Sequence, residues 1–125
     1  MKKLIFKGAA TALITPMTED GKINYQVLQD LLEFQIQKKA DAVVIAGTTG
    51  EVSTLSDEEH ITLVEKAVRQ VNGRIPVIAG AGSNNTAHAA WLSGECEKAG
   101  VDALLHVTPY YNKASQQGLY LHFKT

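Results

Sequence analysis

The sequence predicts an α/β domain built on a parallel β-sheet. Short apolar segments typical of strands alternate with longer segments in which apolar residues recur at helical spacing, and this pair occurs four times. The repeat interval is roughly thirty residues, the size of one β-α-β step. No stretch of the 125 residues has the composition of a linker, so we expect one domain.

The first two units are marked by strand and cap signals. Residues 8–15 are small and apolar and predict a first strand, after which Asn24 suits the N-cap of a helix. Residues 42–46 are all apolar, as in a strand buried on both faces. Ser56 opens a Ser-x-x-Glu capping box, and Gly73 is predicted to end that second helix.

The last two units follow the same order. Residues 75–79 and 103–107 predict the third and fourth strands, with a helix ending near Gly100 between them and a helix capped by Ser115 after them. Two architectures fit this alternation. A doubly wound open sheet can be complete at this length, whereas a (β/α)₈ barrel needs about 250 residues, so the chain would supply half of one. In both, the loops at the carboxyl ends of the strands form the site.

The overall composition argues against several classes of partner. A formal net charge of -1 does not indicate binding to nucleic acid or to an anionic membrane, and no segment is long enough to span a bilayer. Cys96 is the only cysteine, which excludes an internal disulfide and fits a reducing cytoplasm. We therefore expect a cytoplasmic protein.

The stretch with the strongest chemical signal follows the second predicted strand. Gly47, Thr48, Thr49 and Gly50 predict a tight turn that bares two hydroxyls and several backbone N–H groups. Converging amides form a concavity for a small anion, and the hydroxyls can hold a carboxylate or relay a proton. An ordinary strand-to-helix turn is the alternative reading of the same residues.

Other motifs give weaker signals. Gly80-x-Gly82 suggests a dinucleotide loop, but Asn85 stands where the last glycine belongs. The acids at residues 57–59 are expected to be a helix cap, and Cys96 a small hydrophobe. The histidines are dispersed, so we expect satisfied structural or surface residues and no metal site. They are His60, His88, His106 and His122.

A pair of tyrosines stands at the end of the fourth predicted strand. Tyr110 and Tyr111 follow Pro109 and are expected on the same edge of the sheet as Thr48 and Thr49. Aromatic pairs usually serve packing or interfaces, but a tyrosine hydroxyl beside a threonine hydroxyl can pass a proton along. This pairing is the best catalytic indication that the spacing provides.

Four motifs together resemble one enzyme family. They are Ala-Leu-Ile-Thr-Pro-Met at residues 12–17, Gly-Thr-Thr-Gly-Glu at 47–51, Ile-Pro-Val-Ile-Ala-Gly at 75–80 and Thr-Pro-Tyr-Tyr-Asn-Lys at 108–113. The sequence resembles the dihydrodipicolinate synthase branch of the pyruvate-dependent, Schiff-base aldolases over essentially its whole length.

The resemblance implies a fold and a lyase reaction. Residues 1–125 would be the first half, (β/α)₄, of a TIM (β/α)₈ barrel, ending within the fourth helix. In this family a lysine forms an imine with pyruvate, and the enamine adds to aspartate semialdehyde on the diaminopimelate route to lysine, without another cofactor. That lysine belongs to the later half of the barrel, and none of the ten lysines present ends a buried strand. The chain is therefore expected to be inactive alone.

The resemblance also assigns site residues. Thr48 matches the threonine of a proton relay, and Thr49, with the amides of Gly47 and Gly50, matches the group that holds the pyruvate carboxylate. Tyr111 matches the relay tyrosine that reaches into an adjacent subunit. A homo-oligomer, a dimer or a dimer of dimers, is therefore expected.

A lysine feedback site is implied at the dimer interface. The matching positions are Ser53, His60, Asn84 and Tyr110. His88 replaces an acid that is common in lysine-sensitive members, and Asp57 also departs from the pattern, which argues against inhibition by lysine.

Three other functions stay open on the sequence. The chain could belong to another 2-oxo-acid aldolase of this superfamily, or be a non-catalytic half-barrel that binds a 2-oxo acid at Thr48 and Thr49. An independent doubly wound nucleotide-binding domain rests on length alone.

Overall fold

The computed structural model describes residues 4–125, in which four parallel strands alternate with four α-helices. The elements are β1 (Ala10–Ala12), α1 (Tyr25–Gln37), β2 (Ala42–Ile45), α2 (Asp57–Val71), β3 (Val77–Gly80), α3 (Thr86–Ala99), β4 (Ala103–Leu105) and α4 (Gln116–Lys124). The predicted alternation is confirmed. None of the helices in this part of the chain has the length and apolar content that crossing a bilayer requires.

The predicted helix caps are present. Asn24 accepts a hydrogen bond from the Val27 N–H, and Ser56 and Glu59 form both bonds of the capping box. The hydroxyl of Ser115 accepts from Gly118 N–H at 3.1 Å. These side chains fix the point at which each connection turns into a helix, and so they fix the length of the loops at the site.

The first strand is shorter than predicted. Leu13 N–H still donates to the Val44 carbonyl at 3.0 Å, but β2 turns at Ala46, whose φ is +54°. Beyond that point no neighbouring strand runs beside residues 14 and 15, so the ladder stops. The bent end of β2 therefore leaves the end of β1 facing the following turn.

The strand order distinguishes between the two predicted architectures. The sheet runs β1-β2-β3-β4, and each adjacent pair is parallel. A doubly wound sheet reverses its strand order at a switch point, whereas a (β/α)₈ barrel adds strands in sequence. Helices α1, α2 and α3 pack side by side against each other. The arrangement is (β/α)₄, half of a barrel, and the doubly wound alternative is wrong.

The two faces of the sheet have different environments. Side chains that point toward the helices are buried, with Val43, Ile45 and Val77 each at most 2% exposed. On the opposite face, Leu105 is 51% exposed and Ile14 is 54% exposed. In a closed (β/α)₈ barrel that opposite face lines the packed interior.

Candidate functional site

The turn after β2, residues 46–51, is the centre of the site and is called the β2 turn. It contains a 3₁₀-helix, Thr48–Gly50, and closes on itself because Gly50 N–H donates to Gly47 O and Glu51 N–H to Thr48 O, both at 3.0 Å. The Thr48 and Thr49 side chains are exposed, and neither their hydroxyls nor their N–H groups have a hydrogen-bond partner in residues 4–125. The Gly50 amide is already used, so the predicted donors that have no partner in residues 4–125 are the groups of Thr48 and Thr49 and the Gly47 amide.

Gly80 holds the end of β3 against this turn. A Cβ at Gly80 would overlap the Ala46 carbonyl group, 2.8 Å from its carbon, and would lie 3.1 Å from the Gly47 Cα. Only a residue without a side chain permits this approach. Gly80 is therefore a packing glycine of the site, and the dinucleotide-loop reading of Gly80-x-Gly82 finds no support in the barrel topology.

A cavity of about 400 Å³ lies beside the β2 turn, between the strand ends and helices α2 and α3. It brings together Thr48 with three of the four residues assigned to a feedback site, Ser53, His60 and Tyr110. The fourth, Asn84, stands next to it and donates from its amide to the Tyr110 carbonyl at 3.3 Å. The remaining lining residues are Val52, Leu55, Asp57, Gly82, Ser83, His88, Leu92 and Val107.

His60 is the polar side chain buried deepest in this cavity wall. It is 3% exposed, its Nε2 has no hydrogen-bond partner in the described part of the chain, and burial lowers its pKa below the usual 6.5. The expectation of satisfied or surface histidines is therefore wrong for His60. Because this nitrogen is itself buried, His60 holds an unsatisfied polar atom inside the cavity wall.

The other histidines make local contacts. His88 Nε2 lies 2.9 Å from the Asp57 carboxylate, so Asp57, in the first turn of α2, joins that helix to α3. His122 Nδ1 lies 2.8 Å from the Thr86 hydroxyl, on the far side of α3. Within residues 4–125, no group of three or more His, Cys, Asp or Glu side chains is placed to hold a metal ion.

The two tyrosines separate in the structure. Tyr110 lines the cavity together with Thr48, whereas Tyr111 is 99% exposed and has a φ of +64°. The Asn112 amide donates to the Asn84 carbonyl at 2.6 Å and so holds this loop. Within this chain, Tyr111 and Thr48 therefore do not share the cavity, and of the two tyrosines Tyr110 alone lines it together with Thr48.

No lysine or cysteine of the described residues has the environment of an activated nucleophile. All eight lysines of residues 4–125 are exposed, and Lys2 and Lys3 lie outside the described residues. Cys96 is buried, which raises the pKa of its thiol to about 11 and keeps it protonated at neutral pH.

Two residues at the strand ends, Thr15 and Gly80, had no role assigned from the sequence. Thr15 is 5% exposed and donates its hydroxyl proton to the Gly50 carbonyl at 2.7 Å, and Gly80 packs as described above. The position of Thr15 as the one hydroxyl residue at the carboxyl end of the first strand was a usable signal for it. The approach of Gly80 to Ala46 depends on the pairing of two strands and has no local signal.

Known proteins with a similar sequence and fold include enzymes of one family. The chain is 56% identical over 124 residues to 4-hydroxy-tetrahydrodipicolinate synthase of Acetivibrio thermocellus, covering 99% of this chain and 42% of that protein. A crystal structure of dihydrodipicolinate synthase from Aquifex aeolicus superposes with a TM-score of 0.92 at 48% identity, over 95% of this chain and 40% of the other.

A second similar solved structure is a complex with pyruvate. It is chloride-inhibited dihydrodipicolinate synthase from Acinetobacter baumannii complexed with pyruvate, with a TM-score of 0.94 and 45% identity, over 97% of this chain and 41% of the other. The chain thus spans about two-fifths of the length of these proteins. Because the model of the dihydrodipicolinate synthetase family matches residues 5–125, the chain belongs to that family, and its fold is the first half of a (β/α)₈ barrel.

Proposed function

We propose that residues 1–125 are the N-terminal half of a 4-hydroxy-tetrahydrodipicolinate synthase, a lyase that condenses pyruvate with aspartate semialdehyde. The observation that carries the proposal is the β2 turn, with two exposed threonine hydroxyls and two free amides at the carboxyl ends of the strands. The 56% identity to the Acetivibrio thermocellus enzyme and the pyruvate complex of the Acinetobacter baumannii enzyme support it.

The residues of this half bind the keto acid and move protons. Thr49 and its amide hold the carboxylate of pyruvate, while the Thr48 hydroxyl carries a proton to or from the reacting carbon. Tyr111 completes the relay from a neighbouring subunit, and its nearly full exposure and left-handed backbone suit a side chain that enters a partner. The working enzyme is therefore a homo-oligomer.

The amine that attacks pyruvate comes from the other half of the barrel. A lysine becomes nucleophilic near neutral pH when burial lowers its pKa, and the lysines of residues 4–125 are all exposed. That lysine forms the imine by expelling water, and the resulting enamine attacks the aldehyde carbon. Alone, this chain holds pyruvate without activating it.

A chimera tests the proposal. Residues 1–125 are joined to the part of the Acetivibrio thermocellus enzyme that follows the matched region, and this protein is called the chimera. Borohydride added with pyruvate should reduce the imine and leave a carboxyethyl group on one lysine of the chimera, which intact-protein mass spectrometry detects. The chimera should also condense pyruvate with aspartate semialdehyde.

The 125-residue chain is the matched control. It should bind pyruvate weakly and remain unlabelled by borohydride. Labelling of a lysine in the 125-residue chain would contradict the division of roles, and a chimera that folds but is neither labelled nor active would contradict the proposed function. Binding of pyruvate by that inactive chimera would favour a non-catalytic 2-oxo-acid-binding protein.

We infer a second role for the cavity, that of a regulatory site with altered ligand preference. The His88–Asp57 contact places an imidazole where lysine-sensitive members have an acid. Lysine should therefore fail to inhibit the chimera, and His88→Glu should introduce inhibition by lysine. Equal inhibition by lysine with and without His88→Glu would contradict this role of position 88.

A further inference from the structure

Thr15, at the end of β1, is hydrogen-bonded to the β2 turn. Its side chain is 5% exposed, and its hydroxyl donates to the Gly50 carbonyl at 2.7 Å, linking residues 35 positions apart. The contact is close on both sides, because a Cβ added to Gly50 would lie 3.1 Å from the Thr15 Oγ1 and 3.2 Å from the Leu13 carbonyl oxygen. The end of β1 and the β2 turn are thus packed without intervening space.

In the described chain, this is the one hydrogen bond to residues 47–51 that comes from a distant part of the sequence. Within residues 4–125, the other hydrogen bonds to residues 47–51 come from the turn itself or from Thr54. Glu51 O accepts from both the hydroxyl and the N–H of Thr54, at 2.8 and 2.9 Å, so that bond is duplicated. Gly50 O has Thr15 as its partner. Because this bond is buried, removal of the Thr15 hydroxyl would leave the Gly50 carbonyl without a partner.

We propose that Thr15 is a positioning residue for the pyruvate site, acting through Gly50 on the orientation of Thr48 and Thr49. The inference rests on the proposed function, since it names a determinant of that same site. Thr15 does not itself contact the substrate. It fixes the 3₁₀-helix that carries both hydroxyls, and a displacement of reacting groups by a fraction of an ångström is enough to slow a catalysed step.

Substitution of Thr15 in the chimera tests the proposal. Thr15→Val keeps the shape and removes the hydroxyl, Thr15→Ser keeps the hydroxyl, and Thr54→Val removes the duplicated bond as a matched control. Each measured rate is divided by the number of active sites that borohydride and pyruvate label. Unfolded protein, which forms no imine, is thereby left out of the comparison. Thr15→Val should lower kcat/KM per trapped site by about tenfold, Thr15→Ser should recover most of it, and Thr54→Val should resemble the parent.

Two kinetic results would overturn the role of Thr15. One is a Thr15→Val chimera equal to its parent per trapped site. The other is an equal loss in Thr15→Val, which keeps the methyl group, and in Thr15→Ser, which keeps the hydroxyl; that result would show a general packing requirement at position 15 rather than a requirement for the hydroxyl.

A second measurement does not depend on activity. Amide hydrogen exchange at Gly50 and Glu51, whose N–H groups close the turn, should accelerate about tenfold in Thr15→Val relative to Thr54→Val. Unchanged exchange at these amides would contradict the inference even in an inactive chimera. An unsubstituted chimera that traps no pyruvate while Thr15→Val accelerates exchange would count against the proposed function and leave the fastening of the turn supported.

Discussion

Backbone strain at single residues is concentrated at the edge of the sheet where the strands end. Of the six non-glycine residues with positive φ in residues 4–125, four lie in the two loops of the candidate site: Ala46, Glu51, Tyr111 and Lys113. A left-handed backbone costs on the order of 1 kcal/mol for a residue with a side chain. The fold tolerates this cost at the turns that carry Thr48 and Tyr111, which is consistent with a site whose loop geometry matters.

Neighbouring threonines in the β2 turn are predicted to have different kinetic effects. In the chimera, Thr48→Val should lower kcat on the order of 100-fold, because a proton-relay hydroxyl acts in the chemical step. Thr49→Val should instead raise KM for pyruvate about tenfold with a smaller change in kcat, because it removes a donor to the carboxylate. Steady-state kinetics with varied pyruvate separates the two effects. The same kinetic change in both variants would contradict distinct roles.

At the scale of the elements, the contact between β3 and the β2 turn requires a glycine at position 80. Gly80→Ala should lower the free energy of unfolding by about 1–3 kcal/mol, because the new Cβ overlaps the Ala46 carbonyl. Gly94→Ala, in the interior of α3 with open space around it, should raise it by about 0.5–1 kcal/mol. Urea unfolding of the two chimera variants measures both, and destabilisation by Gly94→Ala would contradict the open space seen there.

The junction of α1 with the α2–β3 connection predicts an acid-dependent loss of stability. Arg74 donates two hydrogen bonds to the Glu33 carboxylate, at 2.9 and 2.6 Å, and together with Gln70 lowers the pKa of Glu33 from 4.5 to about 2. Because the pKa is lower in the folded state, the contribution of Glu33 is complete above pH 4.5 and is lost as the pH falls toward 2.

Glu33→Gln should therefore remove that part of the pH dependence. The difference in unfolding free energy between the parent chimera and Glu33→Gln should shrink as the pH falls from about 4.5 to about 2. Glu19→Gln is the control, since Glu19 is exposed and has no ion pair in the described residues. A constant difference across this range would show that Arg74 does not hold Glu33 in the folded state.

Local sequence signals predicted the helices and strands, whereas strand lengths and side-chain burial depend on contacts between distant segments. Asn24, Ser56 and Ser115 mark helix starts because an N-cap bond spans three residues. The length of β1, by contrast, is set by the bend at Ala46 in the next strand, and the burial of His60 is set by β3 and α3. Neither is readable from nearby residues. The separation of Tyr110 from Tyr111 also depends on a left-handed backbone that a Tyr-Tyr sequence does not indicate.

At the scale of the whole molecule, the sheet has one covered face and one open face. Apolar side chains are half-exposed at the carboxyl ends of the two outermost strands and just beyond them, with Ile14 at 54%, Leu105 at 51% and Val107 at 46%. In residues 4–125, the outer edges of β1 and β4 have no paired strand. Unpaired edges beside exposed apolar side chains favour association with another chain.

The 125-residue chain studied alone should therefore associate with itself, because association removes the open face and its edges from water. In sedimentation velocity at micromolar concentration, we expect species larger than the monomer. Leu105→Lys with Val107→Lys should shift the distribution toward the monomer, because two charges at the exposed carboxyl end of β4 oppose burial of this region. Trp91→Lys, which replaces a 45%-exposed aromatic residue on α3 instead of on the sheet, should leave it unchanged. A parent chain that sediments as a monomer and unfolds cooperatively would show that the open face is stable in water, and an equal shift in both variants would place the contact on the helices.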